Sequence, residues 1–124
     1  MKNKFFLVFL GGGLGALLRY LISAVLEILI GSTFAGSLSL YIVNITGAIF
    51  LGVTTAFQSE AKKIFWGAGF AGGFTTMSGV AIFLYTQTPA TAFPGAAIMF
   101  GLGFIGYAAG ANLARAIGGK HERV

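Results

Sequence analysis

The sequence predicts an all-α integral membrane protein of four transmembrane helices, on three observations: scarce charge, four apolar stretches of spanning length, and no alternating strand pattern. Of its 124 residues, 56% are hydrophobic and 9% are charged, against roughly 25% charged in a soluble domain. With 3 acidic and 8 basic residues, the chain cannot coat the large surface of a small water-soluble fold. Inside lipid every backbone polar group must be paired within the protein, which leaves helices as the spanning element here.

A helix needs about 20 mostly apolar residues to cross roughly 30 Å of hydrocarbon. The stretches that meet this length are Phe5–Ile30, Ser39–Phe57, Ile64–Tyr85 and Pro94–Ala114. The connections are then Gly31–Leu38, Gln58–Lys63 and Thr86–Phe93, with Pro94 in the first turn of the last helix, where its missing N–H costs nothing. No linker, repeat or low-complexity tract divides the chain, so residues 1–124 read as one membrane domain. Lys2 and Lys4 before an apolar run also resemble a secretory leader, with Ser23-Ala24-Val25 as a weak cleavage site; an uncleaved first span accounts for the same residues.

Charge placement fixes an orientation. Lys2, Lys4, Lys62, Lys63, Arg115, Lys120 and Arg123 all fall on one side of a four-span topology, and the connections on the other side carry no charge. By the positive-inside rule both termini are cytoplasmic, in the cell membrane. The net charge of +5 therefore anchors the chain to a membrane face and does not form a nucleic-acid stripe. Cys is absent, which excludes thiolate chemistry, and the single His121 sits in a charged tail that reads as a solvated end. Neither a nucleophile–base pair nor a metal-ligand cluster is present, so the sequence does not read as an enzyme.

Glycines four apart mark close helix approaches: Gly11 with Gly15, Gly69 with Gly73, and Gly106 with Gly110. Polar groups inside the spans each require a partner, a wet cavity or a solute. Asn44 shares a helical face with Gly47, Ala48, Leu51 and Thr55. It either binds two helices together or lines a pathway, and this feature alone does not choose. Gly72-Gly73 followed by Thr75-Thr76 and Ser78-Gly79 makes a poor continuous helix, since each Gly costs about 1 kcal/mol relative to Ala. The third span is read as broken near its middle, against the alternative of a Gly-rich crossing with Thr side chains bonded to the preceding turn. Arg19 and Glu27 are about 12 Å apart along their helix, too far to pair. Glu27 reaches the headgroups, while Arg19 bonds carbonyls or lines a vestibule that attracts anions.

Three blocks in register resemble the small bacterial fluoride channels called Fluc or CrcB: Gly11 to Tyr20 (GGGLGALLRY), Val43-Asn44-Ile45-Thr46-Gly47, and Gly69 to Ser78 (GFAGGFTTMS). The resemblance extends to length and span number. It implies an antiparallel two-fold dimer with fluoride pathways along the interface and a structural sodium ion at its centre, held by backbone carbonyls of Gly72 and Thr75. It implies a pathway along Asn44, Thr76, Met77, Ser78 and Val80, with Arg19 as the first-span cation. Where the family usually reads Thr-Thr-Phe-Ser-Thr-Phe, this chain has Thr75-Thr76-Met77-Ser78-Gly79-Val80, so Met77 and Val80 stand where ring edges would face fluoride. The family's fourth span usually adds hydroxyls, whereas here Tyr107 is the mid-span hydroxyl.

An antiparallel dimer of one chain requires insertion both ways, and the charge bias opposes that. The expectation is therefore a subunit of a heterodimeric fluoride channel, partnered by a homologous chain of opposite orientation, with a homodimer as the alternative. A non-conducting structural subunit is the competing reading. Four short spans alone would also suit a small multidrug exporter, but such exporters need an embedded carboxylate, and Glu27 lies near a helix end.

Overall fold

The computed structural model describes residues 2–118; Lys120, His121, Glu122 and Arg123, to which the sequence reading assigned anchoring and a solvated tail, lie outside the described residues. Helix α1 runs Lys2–Ile30 and α2 runs Ser32–Thr54. The third span is composite: α3 Glu60–Lys62, a π-helical segment Lys63–Ala71, α4 Gly72–Phe74, and α5 Met77–Thr86. Helix α6 runs Pro89–Gly118. Four helices are thus long and apolar enough to cross a membrane, counting Glu60–Thr86 as one span, as expected of a multi-pass membrane protein.

The connections are shorter than the sequence indicates. Between α1 and α2 only Gly31 is non-helical, at φ 79°, a conformation that glycine adopts without Cβ strain. Its N–H closes α1 on Glu27 O at 3.0 Å, and its carbonyl opens α2 by accepting from Ala35 N at 3.2 Å. Ser32–Leu38 contains no Pro, so nothing stops the helix from filling the expected loop. At its far end α2 stops at Thr54, not Phe57. Thr54 and Thr55 hydroxyls donate back to Leu51 O and Gly52 O at 2.7 Å each, and the backbone tightens into i→i+3 bonds as far as Phe57.

Pro94 does not open the last helix; Pro89 does, and Pro94 lies inside α6. Thr88 O accepts from Thr91 N at 3.0 Å and Ala92 N at 2.8 Å, starting the helix five residues before Pro94. Pro94 then leaves only the Ala90 carbonyl without its usual donor, close to the helix end.

The glycine pairs read from the sequence all sit at crossings. A Cβ on Gly11 or Gly15 would strike the backbone carbonyl of Phe65 or Phe70, and one on Gly73 would strike that of Gly12. Gly69 lies 3.1 Å from Gly11 Cα by the same construction. These contacts bring α1 and the first half of the third span together backbone to backbone. The α2–α6 crossing repeats the device, Gly52 against Tyr107 O and Gly110 against Ile49 O, with Gly106 on the Ile49 side chain. The π-helical winding was not foreseen; it turns Gly67 towards α2 while Gly69 and Gly73 keep facing α1.

Candidate functional site

The third span breaks at Thr75 (φ −76°, ψ 162°) and Thr76 (φ −144°, ψ 112°), both extended. The helical bonding holds as far as the Thr75 N–H and is then taken over by side chains. Thr75 donates both its N–H, at 3.0 Å, and its hydroxyl, at 2.9 Å, to Ala71 O. Thr76 Oγ1 accepts from Gly79 N at 3.0 Å, which caps α5.

The remaining amide, Thr76 N–H, would reach the Gly72 carbonyl in a continuous helix. It goes instead to Asn44 Oδ1 at 2.8 Å. The other end of the same side chain, Nδ2, reaches Thr76 O and Met99 Sδ, each at 3.4 Å. The first contact is an ordinary hydrogen bond. The other two are a long bond and one to a weak acceptor. Oδ1 thus splints the break from α2, the helix-binding role read from the sequence, while Nδ2 is held only weakly.

Two cavities are lined by residues of this break and its Asn44 splint. One, of about 520 Å³, combines the polar Arg19, Ser23, Ser39, Thr76, Thr86 and Gln87 with apolar residues such as Leu40, Val43, Ile82 and Phe83. Arg19 Nη1 donates to Thr75 O at 3.2 Å, and a guanidinium carries five N–H donors, so most stay available to the cavity. The sequence reading left a choice between bonding carbonyls and lining a vestibule; Arg19 does both. Ser23 and Ser39 hydroxyls pair at 2.9 Å across α1 and α2 on the same cavity.

The second cavity, of about 570 Å³, lies between α2, α5 and α6 and is mainly apolar: Leu51, Met77, Val80 and Met99, with Asn44 and Tyr107 as its polar groups. Of the pathway residues named from the sequence, Asn44, Met77 and Val80 come together here, whereas Arg19 and Thr76 border the first cavity. Met77 is 68% exposed, but Val80 is 3% exposed and packs with Leu40 and Met99, so its contact with the cavity is marginal. Ser78 is exposed, its Oγ 3.1 Å from Thr76 Oγ1. Met99 was missed in the sequence. Its signal was there: Met99, Gly103, Gly106 and Gly110 recur at helical spacing and trace the inward face of α6.

Among the described residues no group of three or more His, Cys, Asp or Glu could hold a metal ion. What the break offers is neutral carbonyl oxygen, the donor suited to a hard cation. Gly72 is exposed with nothing within 4 Å of a Cβ built on it, and its carbonyl has lost the Thr76 amide to Asn44. The Thr75 carbonyl, by contrast, already faces a cation in Arg19 and keeps one lone pair free.

A family model described as CrcB-like protein, Camphor Resistance (CrcB), matches residues 6–114. The chain belongs to the CrcB family. Among CrcB-like relatives, a protein named Fluoride-specific ion channel FluC from Azobacteroides pseudotrichonymphae is 38% identical over 84 residues, covering 63% of this chain and 66% of that one. Fluoride-specific ion channel FluC 2 of Bacillus licheniformis is 41% identical over 76 residues, 57% of this chain and 54% of that one. FluC 1 of Yersinia pestis is 38% identical over 84 residues, 63% and 64% of the two chains. The chain thus matches just under two thirds, or less, of the length of these three CrcB relatives.

Proposed function

We propose that this chain is a subunit of a fluoride-selective channel that lets fluoride leave the cell passively, working with a homologous subunit of opposite orientation. The observation that carries the reading is the broken third span, where Asn44 and Thr76 each line a cavity at mid-span and Ser78 Oγ lies 3.1 Å from Thr76 Oγ1. It is supported by relatives named fluoride-specific ion channels. Fluoride is small and strongly hydrated, so a pore must replace its water with hydrogen-bond donors of this kind. An inside-negative potential favours anion exit by about 2.3 kcal/mol per charge for each 100 mV, so flow through a passive pore is outward.

The paired arrangement is inferred from charge. Lys and Arg outside the spans all lie on one side, which argues for one insertion direction, with both termini in the cytoplasm and the chain in the cell membrane. Relatives named FluC 1 and FluC 2 are consistent with paired chains. Gly72, exposed and open at mid-span, is where a second copy of the fold would approach, and its carbonyl with that of Thr75 would hold a structural sodium ion shared by the two subunits.

Fluoride efflux from proteoliposomes tests this. The chain alone should release little fluoride, and the chain together with an oppositely oriented homologue should release it quickly. Robust selective efflux from the chain alone would overturn the heterodimer; silence with every such partner would overturn the channel. Replacing sodium by a large organic cation should shorten the lifetime of the dimer, and an unchanged lifetime would remove the ion. A second reading, a subunit that completes the dimer without conducting, draws on Met77 and Val80, which bring no ring edge to the second cavity. Asn44→Asp keeps the acceptor for Thr76 and replaces the donor hydrogens with negative charge. Unchanged efflux by the pair carrying that variant would favour the non-conducting role.

A further inference from the structure

We propose that a third cavity, at the charged end of α2 and α6, is a capture site where a small halide ion is held by Lys63 and Tyr107 before it enters the apolar cavity beside Asn44. The inference rests on the channel reading above and adds a site to it. The cavity measures about 410 Å³ and is lined by Leu51, Thr54, Thr55, Lys63, Gly67 and Tyr107, with Ala68 at its edge.

The donor inventory points to an anion. Thr54 and Thr55 give their hydroxyl hydrogens to Leu51 O and Gly52 O. This covers two terminal carbonyls of α2 and blunts the negative end of its dipole. The side-chain donors left among the lining residues are the Lys63 ammonium and the Tyr107 phenol, neither of which has a hydrogen bond or ion pair among the described residues. Among the described residues three other cations are engaged: Lys4 with Glu60 at 2.6 Å, Arg19 with Thr75 O, and Arg115 with Ala111 O at 3.3 Å. Lys62 is exposed but lines none of these cavities.

The position of the cavity supplies the route. Leu51 and Tyr107 line both this cavity and the apolar one, so they form the wall between them. Tyr107 carries the hydroxyl of the apolar cavity, and Asn44 carries its amide. From Thr54 to Asn44 is about 15 Å along α2. An ion moving inward exchanges water for the Lys63 ammonium, then for the phenol O–H, then for Asn44 Nδ2. The Tyr107 hydroxyl bridges an otherwise apolar passage. Gly67 keeps the mouth open, since a Cβ there would lie 3.3 Å from Thr54 Oγ1 and 3.6 Å from Leu51 Cδ1.

The test begins with binding, which does not require conduction. Sodium fluoride is titrated into the purified full chain in detergent and followed by fluorine NMR. Wild type should broaden the fluoride resonance; Lys63→Gln and Tyr107→Phe should lessen the broadening several-fold, and Lys62→Gln should not. No broadening by wild type, or equal broadening in all variants, overturns the proposal. In proteoliposomes of the conducting pair, Lys63→Gln should slow efflux about three-fold or more at low salt, and the difference should fade near 1 M inert salt as screening shortens the reach of the charge. Lys63-dependent binding with no efflux from any pairing sinks the channel reading and leaves the site standing. Efflux indifferent to both Lys63 and Tyr107 sinks the site and leaves the channel standing.

Discussion

The two halves of the third span are held in opposite ways. Before the break, Gly69 and Gly73 press against the backbone of α1, and rings of Phe50, Trp66 and Phe70 close the other side at centroid separations of 5.2–6.0 Å. After it, α5 meets its neighbours through side-chain ends, Val80 among Leu40 and Met99, and Tyr41 edge-on to Phe83 at 6.2 Å. Backbone contact allows no adjustment, whereas side-chain contact can repack. The break stands where the fixed half passes to the adjustable one, and Asn44 bridges that point. The difference teaches that the two cavities at the break are walled by the adjustable half of the third span, Thr76 onward, and not by its fixed half.

Substitutions can break this contrast in graded steps. Gly73→Val should cost the most, about 3 kcal/mol or more from overpacking onto Gly12, and is checked by the yield and melting temperature of monodisperse protein in detergent. Asn44→Leu comes next, at about 1–3 kcal/mol, because it leaves Thr76 N–H unpaired. Asn44→Asp should restore much of that melting temperature while still blocking efflux by the pair. Gly72→Ala sharpens the comparison from the other side. With nothing within 4 Å, the added methyl should leave the melting temperature of the single chain unchanged or raise it by the equivalent of up to about 1 kcal/mol. A large loss there would mean that the open side of Gly72 is occupied in the single chain. The smallest effect belongs to Glu60→Gln: its pair with Lys4 is exposed at both ends, and thermal melts at ordinary salt should not move.

Much of this was legible in the residues. Span number, the three Gly pairs and the break at Thr75-Thr76 followed from hydropathy, four-residue spacing and helix-poor composition, each a local signal. What escaped was either non-local or cooperative. The loops Gly31–Leu38 and Thr86–Phe93 look polar, but polarity does not stop a helix at a membrane surface, and the chain leaves the helix only at Gly31 and at Gln87-Thr88. Pro94 looked like a helix start because the competing start at Pro89 lies outside the apolar stretch. The π-helical turn has no local signature here. For Asn44, nothing in the sequence indicated that its Oδ1 would take the Thr76 N–H, because that partner lies 32 residues away on another helix. Arg19 and Thr76 line one cavity and Met77 and Val80 another, a division that no local pattern in the sequence announces.

The single-residue reversal at Gly31 has a mechanical consequence. Two long rods joined by so short a hinge have no slack between them, so turning α1 about its own axis must drag the start of α2 with it. Arg19 on one rod and Asn44 on the other, each gripping one residue of the Thr75-Thr76 bend, thereby keep a fixed bearing across it. A flexible insert placed after Gly31 would uncouple those bearings without touching either side chain.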